Sequence, residues 1–251
     1  MLLEIQGLNK HFGGLHAVRD ATFDVLENKV TGLVGPNGAG KTTVFNMVTG
    51  TFPADSGTVV FRGKDITGIS AQERVREGIA RTFQDVRLLP RLTVEDNVAV
   101  GVQKQTGESF AKVFFAPLRV RGKERETLAQ AREALAFVGI DEKMWREPAS
   151  SLSYGEQKLV SIARLLATEA DLLLLDEPTS GLDESSLDQF RAVLARLLDD
   201  GRTVLMVEHN MLLVRELCDQ AVFLATGQVL AVDTPANLME KEELREVYFG
   251  A

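Results

Sequence analysis

The run Val30–Val34 followed by Gly35-Pro36-Asn37-Gly38-Ala39-Gly40-Lys41-Thr42 constrains this chain more than any other stretch. A short apolar segment reads as a buried strand, and the glycines after it stop it from continuing. Residues Thr42–Gly50 then read as a helix, so the order is strand, glycine loop, helix. That is the context required by the pattern GxxxxGK[ST], whose glycines let backbone N–H groups turn inward around phosphate oxygens at a helix N-terminus. Lys41 would bring a positive charge to the terminal phosphates, and the Thr42 hydroxyl a ligand for Mg2+. A glycine turn of purely structural use has no need for Lys-Thr at those two positions.

Composition bounds the rest. A chain of 251 residues fits one domain with an inserted subdomain better than two independent domains. A hydrophobic content of 45% and a charged content of 25% are ordinary globular values. The net charge of −8 argues against nucleic-acid binding as the main function. The one cysteine, Cys218, permits no internal disulfide, fits a reducing compartment, and reads as a small packed hydrophobe. No run of about 18 apolar residues is available to span a bilayer, and the first residues lack the basic start of a signal peptide. A soluble, cytoplasmic protein is the expectation, with any membrane role exercised through a partner.

Strands are expected at Leu2–Gln6, Ala21–Val25, Val30–Val34, Thr58–Phe61 and Ala80–Phe83, with turns at Ser56-Gly57 and Arg62–Asp65. From about Thr93 to Thr168 the pattern turns helical, with a start at Thr93 and an apolar stripe through Lys123–Val138. Strands return at Leu172–Asp176, Thr203–Val207, Ala221–Leu224 and Gln228–Val232, separated by helices at Glu184–Asp199 and Met211–Leu217. The fold class is therefore α/β, interrupted by a helical insertion. The basic run Arg119–Arg125 reads first as a solvated loop leading into a helix, and second as a contact for lipid headgroups.

Leu172–Leu175 suits a strand buried on both faces, and it delivers Asp176 and Glu177 to its C-terminal end, where α/β sheets place ligand chemistry. Val207-Glu208-His209 does the same for His209 after the strand Thr203–Val207. In Leu152-Ser153-Tyr154-Gly155-Glu156-Gln157 the serine stands at the start of a helix. It could be an ordinary cap, or a hydroxyl that joins backbone N–H groups in binding phosphate.

Together these four motifs resemble the nucleotide-binding subunit of ABC transporters, over essentially the whole chain. The resemblance implies a P-loop NTPase (RecA-like) core with an antiparallel β-subdomain. Residues 1–92 and 169–251 would form the catalytic core and about 93–168 the helical subdomain. It implies ATP and Mg2+ as cofactors and gives roles to individual residues. Phe12 would stack on adenine; Gly35 to Lys41, Thr42 and Thr43 would hold the phosphates. Thr42, Asp176 and Gln84 would serve Mg2+. Glu177 would be the general base, with His209 holding the attacking water and the γ-phosphate. Ser153, Tyr154, Gly155 and Glu156 would contact ATP on a facing subunit, and Ser180, Gly181, Leu182 and Asp183 would form the D-loop. The signature departs from the commonest form, LSGGQ, since Tyr154 replaces a glycine and Glu156 the glutamine. Implied partners are a second ATPase subunit, alike or different, transmembrane permease subunits and, indirectly, a substrate-binding protein. The location implied is the inner face of the cell membrane.

Arg81-Thr-Phe-Gln84, the Tyr154/Glu156 variant, Val207–Met211 and the ending Val247–Gly250 look most like the longer ATPase subunit of branched-chain amino-acid importers. Urea and amide importers share these features, as do lipopolysaccharide exporters to a lesser degree. A soluble ABC ATPase acting on DNA or ribosomes would need coiled coils, a second ATPase half or a basic face. An inactive paralogue is disfavoured by intact Glu177 and His209.

Overall fold

The computed structural model describes residues 1–82, 85–103 and 117–249. Along the chain come β1 (Leu3–Phe12), β2 (Leu15–Val25), β3 (Val30–Val34), α1 (Lys41–Val48), β4 (Ser56–Phe61), β5 (Lys64–Asp65), α2 (Ala71–Glu77) and β6 (Ile79–Arg81). Four helices follow or flank the next strand: α3 (Val94–Ala99), α4 (Pro117–Val138), α5 (Tyr154–Leu166), then β7 (Leu172–Asp176) and α6 (Glu184–Asp199). The chain ends with β8 (Thr203–Val207), α7 (Met211–Leu217), β9 (Gln220–Ala225), β10 (Gln228–Asp233), α8 (Pro235–Glu240) and α9 (Glu242–Phe249). Among the described residues no helix is long and apolar enough to cross a membrane.

The chain divides into two compact units. The first comprises Met1–Gln84, Asp171–Ser180 and Arg196–Ala251, and the second Asp85–Ala170 and Gly181–Ala195. In the first unit a six-stranded sheet runs in the order β10-β9-β3-β8-β7-β6. All its neighbours are parallel except the edge pair β9 and β10. Strands β3, β7 and β8 are buried along their whole length, which is why each reads as an apolar run rather than an alternation. Register places Asp176 beside Val207, and Leu33 beside the same Val207. The C-terminal ends of the three strands therefore gather at one edge, and each releases its chemistry-bearing residues there.

A four-stranded antiparallel sheet, β2-β1-β4-β5, completes the unit. Its first two strands run well past the expected Leu2–Gln6 and Ala21–Val25. The first strand does not stop at Gln6: Gly7 sits inside β1 at φ +60, beside a register shift between Ile5 and Leu8. Residues 9–12 and 15–20 are mostly partly exposed and polar, so they carry little apolar signal. Lys64–Asp65, expected as turn, pairs as a short strand with β4. Helix α2 was not anticipated, although its capping box, Ser70 with Glu73, is written in the sequence.

In the second unit α3 starts at Thr93, whose hydroxyl accepts from Asp96 N–H, as the acidic start suggested. Backbone bonds from Val94 and Glu95 N–H to the Glu147 and Trp145 carbonyls, with an Arg132–Glu95 ion pair at 2.8 Å, tie α3 to its surroundings. Val94, Val98, Ala131, Leu135, Val138, Leu159 and Ile162 form buried faces of α3, α4 and α5.

Candidate active site

The loop after β3 is shaped by backbone that only glycine tolerates. Gly35 has φ +144, and a Cβ there would lie 1.9 Å from the Leu224 carbonyl oxygen. Gly40, the N-cap of α1, has φ +101, and its Cβ would lie 2.6 Å from the Ala17 oxygen. Because Gly40 has no side chain, no side-chain cap closes the first turn of α1, whose N–H groups are left for an anion. Lys41 is buried, and its Nζ donates to the Gly35 carbonyl at 2.8 Å and the Pro36 carbonyl at 2.9 Å. Burial pushes its pKa down, opposed by the Glu177 and Asp176 carboxylates. A buried ammonium beside a glycine loop and the uncapped first turn of a helix is a site for multiply charged phosphate.

At the ends of β7 and β8, Glu177 and His209 meet: Glu177 Oε1 and His209 Nε2 are hydrogen-bonded. Glu177 holds a left-handed φ of +47 and its N–H donates to the Val207 carbonyl at 3.0 Å, which turns its side chain out of the strand line. Asp176 is 5% exposed and receives an Arg81 guanidinium N–H at 3.2 Å, while its own N–H donates to the Thr82 hydroxyl. Burial raises the Asp176 pKa, with Arg81 the main opposing influence. Arg81 reaches further, to Asn46 Oδ1 on α1 at 2.6 Å.

One cavity of about 540 Å3 is lined by Asn37 to Thr43, Glu177 and His209, and also by Phe12, His16 and Arg19. Phe12, at the end of β1, is 47% exposed and meets Phe52 edge-on at 5.5 Å, so it is a surface of the cavity rather than a core residue. Thr42 is exposed and Thr43 partly buried at the same mouth. A pocket lined by an exposed aromatic ring, a glycine loop with a buried lysine and a carboxylate–imidazole pair suits a nucleoside triphosphate.

A profile of the family described as "ABC transporter" matches residues 18–180. The chain belongs to that family. Among known relatives, the high-affinity branched-chain amino acid transport ATP-binding protein BraF of Pseudomonas aeruginosa is 36% identical over 250 residues, covering 99% of this chain and 98% of the relative. LivG of Escherichia coli K12, with the same description, is 34% identical over equal coverage. The crystal structure of a nucleotide-free ATP-binding cassette from an ABC transporter superposes with a TM-score of 0.87, at 30% identity, covering 100% of this chain and 99% of that one. The protein is thus an ATP-hydrolysing ABC cassette, with the family's mixed antiparallel and parallel sheets and helical insertion.

The segment Leu152–Gln157, expected to be the signature, lies in the second unit. Ser153 is the N-cap of α5, and Glu156 closes a capping box on it: the Glu156 carboxylate accepts from Ser153 N–H at 2.8 Å and from its hydroxyl at 2.7 Å. The ordinary cap is therefore present. Gly155 has a packing reason of its own, since a Cβ there would lie 2.3 Å from Ser186 Oγ. Gly181 faces the ring of Tyr154, which is half exposed, and Asp183 caps the turn by accepting from Ser186 N–H at 2.8 Å. Ser180, expected to open the D-loop, donates its N–H to the Glu177 carbonyl at 3.3 Å within the first unit. Gln84, expected to touch Mg2+, lies outside the described residues, as do Phe83 and Gly250 of the quoted motifs.

Three polar residues in this region were assigned no chemistry from sequence. Arg81 braces Asp176; Glu208 accepts from Thr179; and the Tyr248 hydroxyl on α9 donates to the His209 carbonyl. Arg81, Glu208 and Tyr248 stood inside quoted motifs, but their partners are distant in the chain. No local spacing gives those away.

Proposed function

We propose that this cassette hydrolyses ATP to drive import of branched-chain or related amino acids through a separate permease. The observation that carries the hydrolytic part is the Glu177–His209 pair at the mouth of the loop that holds Lys41. Phe12 stacks on the base, Gly35 to Gly40 and Thr43 wrap the phosphates with N–H groups, and Lys41 offsets the β/γ charge. Glu177 takes a proton from the attacking water, and His209 fixes that water and a γ-phosphate oxygen.

The residues fit Mg2+: the Thr42 hydroxyl and the Asp176 carboxylate are hard oxygen donors, and Gln84 would join them. Among the described residues no group of three His, Cys, Asp or Glu side chains forms a complete cage. That suits an ion that keeps its waters and takes its remaining ligands from phosphate. When bound, Mg2+ would neutralise charge on the β- and γ-phosphates.

The transport assignment draws on near full-length identity to BraF and LivG, whose names state branched-chain amino acid transport. Residues 1–92 and 169–251 form the catalytic core in this reading, and 93–168 present Ser153, Tyr154, Gly155 and Glu156 to the ATP of a second cassette, alike or different. Ser180 to Asp183 line that junction. The dimer sits on the cytoplasmic face of the membrane against permease subunits, which receive amino acid from a binding protein outside.

Replacing Glu177 with Gln tests the reading. Affinity for ATP should be retained while kcat falls roughly 10²-fold or more, the usual cost of losing a general base. Size-exclusion chromatography with ATP should then show a trapped dimer. Parental turnover in E177Q would place the base elsewhere.

A further inference from the structure

We infer that Glu208 is a positioning residue for hydrolysis, holding the Glu177 and His209 loops in register through Thr179. The inference rests on the roles just proposed for Glu177 and His209. Glu208 is 4% exposed and Thr179 7%, so both are interior groups. One Glu208 oxygen accepts from the Thr179 hydroxyl at 2.7 Å and from its N–H at 3.1 Å; the other accepts from the His209 N–H at 3.3 Å. Every one of these donors belongs to a segment that carries a catalytic group: Thr179 lies two residues after Glu177, and His209 follows Glu208 directly.

A buried carboxylate is an expensive way to fill this space. Its hydrogen-bond donors are the neutral Thr179 hydroxyl and two backbone N–H groups, and an apolar side chain of similar volume would hold the end of β8 at less cost. What an apolar side chain cannot do is fix a second strand's loop by direction. Three ties cross between the two loops: Glu177 N–H to the Val207 carbonyl, Glu177 to His209 by side chains, and Thr179 to Glu208. The side-chain bond between Glu177 and His209 must open or shift when water and γ-phosphate enter. The Thr179–Glu208 tie is more deeply buried than that pair and can persist while the pair works. It also helps hold Glu177 in its left-handed backbone, which costs a non-glycine residue strain that its surroundings must impose. Since a displacement near 1 Å can cost about 10²-fold in rate, this tie has leverage on kcat without touching substrate.

The test uses the full chain in Thr179→Val, Glu208→Ala and Glu208→Gln forms, together with the Thr179→Val/Glu208→Ala double variant. Steady-state kcat and KM, ATP affinity by fluorescence titration, and melting temperature are measured for each. E208A should lose kcat roughly 10²-fold and T179V several-fold, with ATP affinity within about twofold of the parent, because the phosphate loop is untouched. E208Q keeps an acceptor for Thr179 and should recover most of the loss. The double variant should be no slower than E208A, as groups acting through one contact are non-additive. Should E208A not fold, T179V decides, since it removes a single hydroxyl at constant shape. Parental kcat in T179V and E208A, or a fall in kcat matched by an equal loss of ATP affinity, would overturn the inference. A parent chain that neither binds nor hydrolyses ATP would instead overturn the functional reading, and this inference with it.

Discussion

Two helix N-termini in this molecule are built in opposite ways. Helix α1 opens at Gly40, in left-handed backbone with no side chain to cap it. Helix α5 opens at Ser153 with a complete capping box, in which the Glu156 carboxylate accepts from the Ser153 N–H and hydroxyl and sets a negative charge beside that serine. The box on α5 matches the one on α2, where Glu73 accepts from Ser70 N–H at 2.9 Å and from its hydroxyl at 2.7 Å. Nothing in α5's own geometry therefore marks it as a nucleotide contact. The lesson is that α1 opens on uncapped N–H groups in the isolated chain, whereas α5 opens on a cap that the chain itself completes, so the phosphate contact proposed for Ser153 has to be made beside an internal carboxylate.

The largest expected effect lies at α1. Replacing Lys41 with Ala removes a charge-assisted contact to phosphate, and such contacts are worth about 1.5–3 kcal/mol, so ATP affinity should fall on the order of 10- to 100-fold. The melting temperature should hold or rise, because the burial that depresses Lys41's pKa is itself a cost to the fold. Unchanged affinity by fluorescence titration would remove α1 from the comparison altogether.

The same contrast explains what the sequence could reveal. Strands β3, β7 and β8 and helices α6 and α7 fall where apolar runs and helical spacing put them, because burial on both faces or along one face leaves a local signature. The glycine loop was legible for a similar reason, since backbone at φ +144 and +101 forces residue identity. Most of β1 and β2 was not, because long-range antiparallel pairing rather than apolar pattern holds their polar halves. Arg81 meets Asp176 across 95 positions and Thr179 meets Glu208 across 29, and contacts of that range are set by strand order alone.

The second expectation separates a cap from a cap with a duty. Ser70→Ala and Ser153→Ala should each cost about 1 kcal/mol of stability, since each deletes an N-cap hydroxyl. Only Ser153→Ala should also slow ATP turnover, by about tenfold if its hydroxyl contacts phosphate at a charged-group value near 1.5 kcal/mol. Mixing S153A with K41A chains supplies a site in which an intact phosphate loop faces an intact Ser153. Activity in the mixture above the mean of the two separate variants would locate the contact across a dimer. If S153A and S70A behave alike, α5's box is a cap and nothing more.

The smallest effect bears most directly on the difference between the two helix starts. Replacing Glu156 with Gln keeps the capping box, because a glutamine at the third helical position serves as well as a glutamate in that motif. Stability should move by less than about 0.5 kcal/mol, the usual range for surface substitutions. The negative charge beside Ser153 is gone, however, and a unit repulsion against γ-phosphate at about 4 Å in water is worth about 1 kcal/mol. KM for ATP should accordingly fall about fivefold, and the effect should shrink at high salt because the site is solvent-exposed in the separate chain. Glu156→Ala is the matching control, since it removes charge and cap together and should lower the melting temperature as well. A KM that is unmoved in E156Q, or that rises, would mean Glu156 does not face phosphate, and the capped start of α5 would no longer stand as the closed counterpart of the open start of α1.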